Sequence, residues 1–270
     1  MSLIQIYNDV VADTGVKHYP DRSINTGTRA VYDAGAGAEY GTGANLPAGA
    51  EVKSLTFADS VASFSKAHAY ANGGMVFAGV NGDTFDLPEK AAPQPADKHW
   101  LVTMWLKIAN YGVGTAASAN NQTFSFSTSN VNVLNASMLG MAPTTVAGAS
   151  PSAIALYVRG KSYALAAQLA PLFDGSPHQF AVECEISADN TQQRIYVYLD
   201  QVQVYSSGWQ SVATTVPAAP THRYIGTSGA FPVAWTGSFY RYRKDDLTAT
   251  DKAVTDILAA DKDVAGERFS

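Results

Sequence analysis

From residue 50 onward, apolar residues recur almost entirely with period two, the signature of strands whose side chains alternate between two faces. The clearest run is 99–108, HWLVTMWLKI, where Trp100, Val102, Met104, Leu106 and Ile108 share one face and Leu101, Thr103, Trp105 and Lys107 the other. Apolar residues on both faces predict a central strand. Residues 179–205 read as strand, turn, strand, turn, strand, with turns at Ala188-Asp189-Asn190-Thr191 and at Asp200-Gln201. Ile195, Val197 and Leu199 alternate there with Arg194, Tyr196 and Tyr198, so an apolar row points inward and an aromatic, polar row outward. Val202 and Val204 restore the inward row, giving an antiparallel meander with short loops. Further strands are predicted at 124–127, 153–158, 162–166, 223–226 and 237–243, with surface loops at 141–152 and 212–220.

The ends of the chain differ from this pattern. Residues 1–50, with DAGAGAEYGTGANLPAGAE at their close, are rich in Gly and Ala and poor in periodic apolar positions. They predict either an extended arm or a loop folded back over the domain formed by residues 51–270. One helix is predicted, at the C-terminus: Thr248 and Asp251 form a start signal, Val254, Ile257 and Leu258 follow at helical spacing, and the helix is expected to end near Asp261. The fold class is therefore all-β: an antiparallel jelly-roll β-sandwich with one short C-terminal helix.

Composition narrows the partners. A chain of 270 residues with 46 % hydrophobic and only 15 % charged residues buries a sizeable core beneath a neutral polar surface. The formal net charge is −5 and there is no run of Lys or Arg, so nucleic acid and anionic membranes are disfavoured as partners. No stretch is apolar for long enough to cross a bilayer. The opening residues lack a basic segment followed by an apolar run, which predicts a cytoplasmic protein or one carried within a larger particle. The single cysteine, Cys184, rules out an internal disulfide. In HQFAVECEIS it shares a face with Phe180, Val182 and Ile186 and reads as a small core residue.

Four segments together resemble a known family: Phe85-Asp86-Leu87-Pro88; HWLVTMWLKI; HQFAVECEI with RIYVYLDQVQVYSSG; and IGTSGAFPVAWTGSFYRYRKDDLTATDKAVTDIL, whose Leu247-Thr248 opens the final helix. From about residue 55 to 261 the chain resembles the concanavalin A-like, laminin-G-like jelly rolls of the lectin/glucanase superfamily. In that family a Tyr-x-Asp-Gly turn closes the meander's second hairpin. Here the turn is Tyr198-Leu199-Asp200-Gln201, and the missing glycine predicts a different turn geometry. The resemblance implies the fold and a range of roles: lectins, carbohydrate-binding modules, glycosidases, and spike, tail or capsid-associated proteins of phages.

Glycosidase chemistry needs two carboxylates flanking the scissile bond. Glu183 and Glu185 are the one close pair on a strand, yet they lack the remaining acids of the glucanase pattern, and the expectation is that they pair with Arg194 across the hairpin. The five histidines His18, His68, His99, His178 and His222 show no metal or triad spacing, and no calcium loop is present, so no metal, cofactor or catalytic residue is predicted. Aromatic residues are the remaining lead, because sugar rings stack on Trp and Tyr. The candidate carbohydrate-binding residues are Tyr196, Tyr198, Arg241 and Arg243 on outward faces, and Trp209 and Trp235, with Phe231, in loops. The expectation is a chain that binds or assembles and is not an enzyme. Its foremost reading is a homo-oligomeric phage or prophage virion component, bound to itself, to other virion proteins or to cell-surface glycans. A free lectin-like domain is the alternative and a glycoside hydrolase comes third.

Overall fold

The computed structural model describes residues 21–56, 60–111, 122–129, 136–144, 151–228 and 234–266. In chain order the strands are β1 (Thr28–Asp33), β2 (Glu51–Lys53), β3 (Val61–Phe64), β4 (Tyr70–Ala71), β5 (Gly74–Ala78), β6 (Asp83–Asp86), β7 (His99–Tyr111), β8 (Phe124–Ser127) and β9 (Ser137–Thr144). Then come β10 (Ala153–Val158), β11 (Lys161–Ala164), β12 (Pro177–Ile186), β13 (Gln192–Leu199), β14 (Val202–Ser206), β15 (Gln210–Ser211), β16 (His222–Thr227) and β17 (Trp235–Asp246). The helices are α1 (Ala166–Leu169) and α2 (Val254–Ala265).

Two antiparallel sheets result. The first runs β14-β13-β12-β7-β17-β5-β4, with β1 added on β17 and β15 on β13; the second runs β11-β10-β9-β8-β16-β6-β3-β2. Trp100, Val102, Met104, Leu106 and Ile108 of β7 enter the core between the sheets, and the predicted meander is β12-β13-β14. Aromatic rings fill the centre: Phe85 lies 4.5 Å from Phe64 and 4.8 Å from Phe239, centroid to centroid. Each such ring contributes about 1.5–3 kcal/mol by leaving water. Cys184 is fully buried among them, and burial pushes its thiol up to about 12, so it packs as an inert hydrophobe.

Several expectations change. Within residues 1–50, strand β1 pairs with β17 from Thr28↔Asp245 to Asp33↔Arg241, with a register shift between Thr28 and Ala30. This strand is too short, and too closely followed by Gly and Ala, to show a period of its own. Helix α2 starts at Val254, later than the Thr248 signal, because Asp246 accepts from the Thr248 amide at 3.0 Å and caps a separate short turn at Leu247–Ala249. It runs beyond Asp261 to Ala265, which packs on Trp105 and Tyr240. Val202 stands opposite Leu199 but on the edge strand, where it is 63 % exposed.

The β13–β14 turn keeps the geometry expected of a glycine-containing turn. Asp200 (φ 49) and Gln201 (φ 71) both adopt left-handed backbone, the conformation of a tight two-residue hairpin. Asp200 is held by the Gln179 amide at 3.0 Å and by His178 at 2.7 Å; Asp174 takes the other ring nitrogen of His178 at 3.1 Å. Gln201 carries the conformational cost that glycine avoids. Gln201→Gly is expected to raise stability by about 1 kcal/mol in urea denaturation; a neutral or destabilising result would mean that the Gln201 side chain contributes more than its backbone costs.

His178 adds a pH-dependent component. The bond to Asp200 raises its pKa above the ordinary value of 6.5, burial opposes this, and Asp174 reinforces it. A group whose folded pKa is raised contributes stability in full below its unfolded value and loses it as pH rises through the folded one. The urea midpoint is expected to fall as pH climbs above 6.5, and His178→Gln to remove that step. A variant that keeps the step would assign it to another group.

Candidate functional site

The outer face of the first sheet carries Tyr196, Tyr198, Arg241 and Arg243 of the predicted site residues, but the structure divides them into two environments. At its centre Arg241 and Arg243 are 1 % and 0 % exposed. Arg241 pairs with Asp21 at 2.6 Å, Asp33 at 2.6 Å and Asp261 at 2.8 Å, and Ser23 accepts from it at 3.0 Å. Arg243 is gripped by Asp245 at 2.6 and 2.8 Å and donates to the Ser23 carbonyl and to Thr28. Asp261 also accepts from the Trp105 indole at 2.7 Å and from Gln179 at 3.1 Å. The two arginines do point outward as the alternation implies, but residues 21–33 and helix α2 cover them, and a sugar cannot reach them.

Trp235 is likewise corrected. It opens β17, is 1 % exposed and stacks on Phe77 at 4.7 Å inside the core. Tyr198 is 7 % exposed beneath α2 with Leu101, Ala181, Ile257 and Leu258, and its hydroxyl donates to Glu183 at 2.6 Å. Burial and the Glu183 carboxylate together raise its pKa well above the phenol range, so it serves as a donor and not as a nucleophile. Phe231 lies outside the described residues.

What stays open is a strip at one end of that face, past the edge of α2. The strand registers put His99, Glu185 and Arg194 in one row and Leu101, Glu183 and Tyr196 in the next. Arg194 forks onto Glu185 at 2.5 and 2.6 Å, the cross-strand pair read from the sequence. The guanidinium of Arg194 then lies 4.5 Å from the Trp209 ring and 5.3 Å from that of Tyr196. Trp209, just before β15, is 41 % exposed, and Tyr196 is half-buried. Behind them Glu183 accepts from Tyr198 and meets the His99 ring nitrogen at 2.8 Å. From sequence, Glu183 is weighed only beside Glu185 and His99 is passed over, because the contact between His99 and Glu183 links strands 84 positions apart in sequence.

The strip thus offers a tryptophan fixed by a salt-bridged arginine, a half-buried tyrosine, an imidazole and two carboxylates whose places are set by neighbours. Such groups can bond sugar hydroxyls beside an aromatic platform. Among the described residues, no three His, Cys, Asp or Glu side chains come together as a metal site would require.

Searches of protein-family descriptions and of curated proteins find no match to this sequence. Solved structures do match. The chain is similar to a sialidase of Trypanosoma rangeli in complex with 2,3-difluorosialic acid, at 15 % identity over 88 % of this chain and 33 % of that one, TM-score 0.49. It is similar to domain 4 of an extracellular arabinanase of Geobacillus stearothermophilus in complex with arabinotriose, at 13 % identity, over 87 % of this chain and 98 % of that domain, TM-score 0.48. It is also similar to the carbohydrate-binding module of a Ruminococcus gnavus sialidase, at 13 % identity, over 68 % of this chain and 96 % of the module, TM-score 0.39. The chain spans only about a third of the sialidase it matches.

The phage and homo-oligomer readings find no support in these similar structures. The expectation that the chain is not an enzyme is corrected: the chain matches a sialidase and a domain of an arabinanase, both glycosidases, so absence of catalysis is not carried forward.

Burial raises the Asp21 carboxyl, but the Arg241 charge and the bonds from Ser23 outweigh it and leave its pKa below the ordinary 3.8. A depressed carboxylate contributes stability above its unfolded value and loses it as pH falls through the folded one. Acid unfolding is therefore expected to steepen below pH 3.8. Asp261→Ala, which leaves Arg241 buried with one partner fewer, is expected to cost about 3–5 kcal/mol in urea denaturation at neutral pH. A cost under about 1 kcal/mol, typical of exposed pairs, would show that the network is dispensable.

Proposed function

We propose that this chain recognises a glycan on the strip formed by Trp209, Arg194, Glu185, Tyr196 and His99. The observation that carries the reading is Trp209 itself: a large aromatic left 41 % exposed, yet fixed in place by a guanidinium that is in turn forked onto Glu185. An indole held in this way loses little freedom when a ligand stacks on it, so binding is not offset by the cost of ordering it. The apolar face of a sugar ring lies against the indole, and the ring hydroxyls reach Glu185, Arg194 and His99. The alternation of charged and aromatic groups suits polyhydroxylated ligands better than apolar ones.

The strip is open sheet surface, which suits a chain of sugars more than a single enclosed one. The same surface carries two carboxylates two positions apart, Glu183 and Glu185, and therefore also the raw material of glycosidase chemistry. Both readings start from sugar binding at the same place.

The test is a glycan array followed by titration calorimetry on the glycans that bind. Trp209→Ala is expected to lose at least tenfold in affinity, about 1.4 kcal/mol, with an unchanged melting temperature because the side chain lies outside the core. Binding that survives W209A, or an array with no hits, would sink the proposal. Release of nitrophenol from 4-nitrophenyl glycosides by the wild type, lost in both Glu183→Gln and Glu185→Gln, would make the site catalytic.

A further inference from the structure

A second polar cluster lies between the sheets, away from the strip. Arg159 sits in the tight turn that joins β10 to β11, with left-handed backbone (φ 49) followed by Gly160 (φ 78). Its amide donates to Met138 and that of Gly160 to Ser137, so the turn is tied to β9. The side chain is 5 % exposed and its Nη1 donates to the Pro95 carbonyl at 3.1 Å. Among the described residues no carboxylate forms an ion pair with it, and its Nε is buried without a partner there. The neighbouring Asp97 is committed to Lys244 at 2.8 Å and to the Gln94 amide at 2.9 Å.

This differs from the other buried arginines, Arg241 and Arg243, each of which is neutralised by aspartate. A guanidinium held in the interior without an ion pair of its own is costly. Burial lowers the Arg159 pKa, with Cys184 and Asp97 countering it. Two more buried polar atoms without partners belong to the same end of the core. Trp100, whose indole N–H is unpaired, stands opposite Cys184 in the β7–β12 register. Gln193, whose Oε1 is unpaired, donates through Nε2 to the carbonyl of Val158 at 3.4 Å and to the Tyr163 hydroxyl at 3.2 Å.

We propose that Arg159 binds a small oxyanion, a carboxylate or phosphate group, through the Nε–Nη2 edge that its contact with Pro95 leaves free. That edge presents two parallel N–H donors, the fork that matches a planar carboxylate or a phosphate oxygen pair. The anion supplies the missing counter-charge at this end of the sandwich. The inference is independent of glycan recognition on the outer strip.

The test is thermal denaturation in a zwitterionic buffer, with sodium acetate or sodium phosphate added while sodium Mes keeps ionic strength constant. A ligand that binds only the folded state raises the melting temperature in a saturable way. That rise is expected for the wild type with at least one of the two anions. It is expected to vanish in Arg159→Asn, which tolerates the left-handed turn, and to need at least tenfold more anion in Arg159→Lys, which keeps the charge but lacks the fork. No saturable rise in the wild type, or an equal rise in both variants, overturns the proposal. A rise with acetate alone identifies a carboxylate site, and one with phosphate alone a phosphate site.

Discussion

The fold depends on the buried charge of Arg241. The side chain points away from the core, onto a sheet face that would otherwise meet solvent, and three aspartates from the two ends of the described chain close on it. Asp21 comes from the segment before β1, Asp33 from the end of β1, and Asp261 from α2. Removing one partner leaves charge in a dry place, so the pieces are needed together. The same network explains why Trp105, Gln179 and the α2 backbone are arranged as they are: each supplies or receives a bond at Asp261 or Leu258. By covering the centre of the face, α2 also decides which part stays open, and that part is the strip of Arg194, Tyr196 and Trp209.

Much of this was legible in the alternation of residues. Strand β7 and the meander of β12, β13 and β14 announce themselves because an apolar row recurs at every second position, and Cys184 falls in that row. The pairing of Glu185 with Arg194 follows from the short turn between β12 and β13, which fixes the register. Alternation says which way a side chain points and is silent about what lies over it. Arg241 and Arg243 were read as outward, correctly, and as exposed, wrongly, because their covers sit some 210 and 20 residues away in sequence. Trp235 shows the complementary case: Pro and Gly nearby disguise the first residue of a strand as part of a loop. The turn at Gln201 shows that a missing glycine need not change the backbone when side chains such as His178 hold its neighbour Asp200 in place.

The candidate site was only half visible for the same reason. Tyr196 and Trp209 could be named from residue type, but what gives them a shared purpose is the guanidinium between them. Glu183 was weighed only as half of a carboxylate pair with Glu185, and His99 only among the scattered histidines, since a histidine and a glutamate far apart in sequence carry no local signal of their contact. The sandwich rests on the alternation of the strands and their pairing, the ligand on the residues themselves, and it is the residues of the strip that argue for sugar.

The closure of Arg241 by Asp21 and Asp261 has a consequence for how the protein is made. A ribosome delivers Asp21 and β1 early, yet the strand they pair with and the helix that seals them emerge some two hundred residues later. Until residue 261 has left the exit tunnel, β17 cannot reach its final state, and β1 waits without a partner. Contacts this distant along the chain slow folding. The sandwich can therefore close only once residue 261 has been made, and until then β1 keeps an unpaired edge of the kind that exposes folding chains to aggregation.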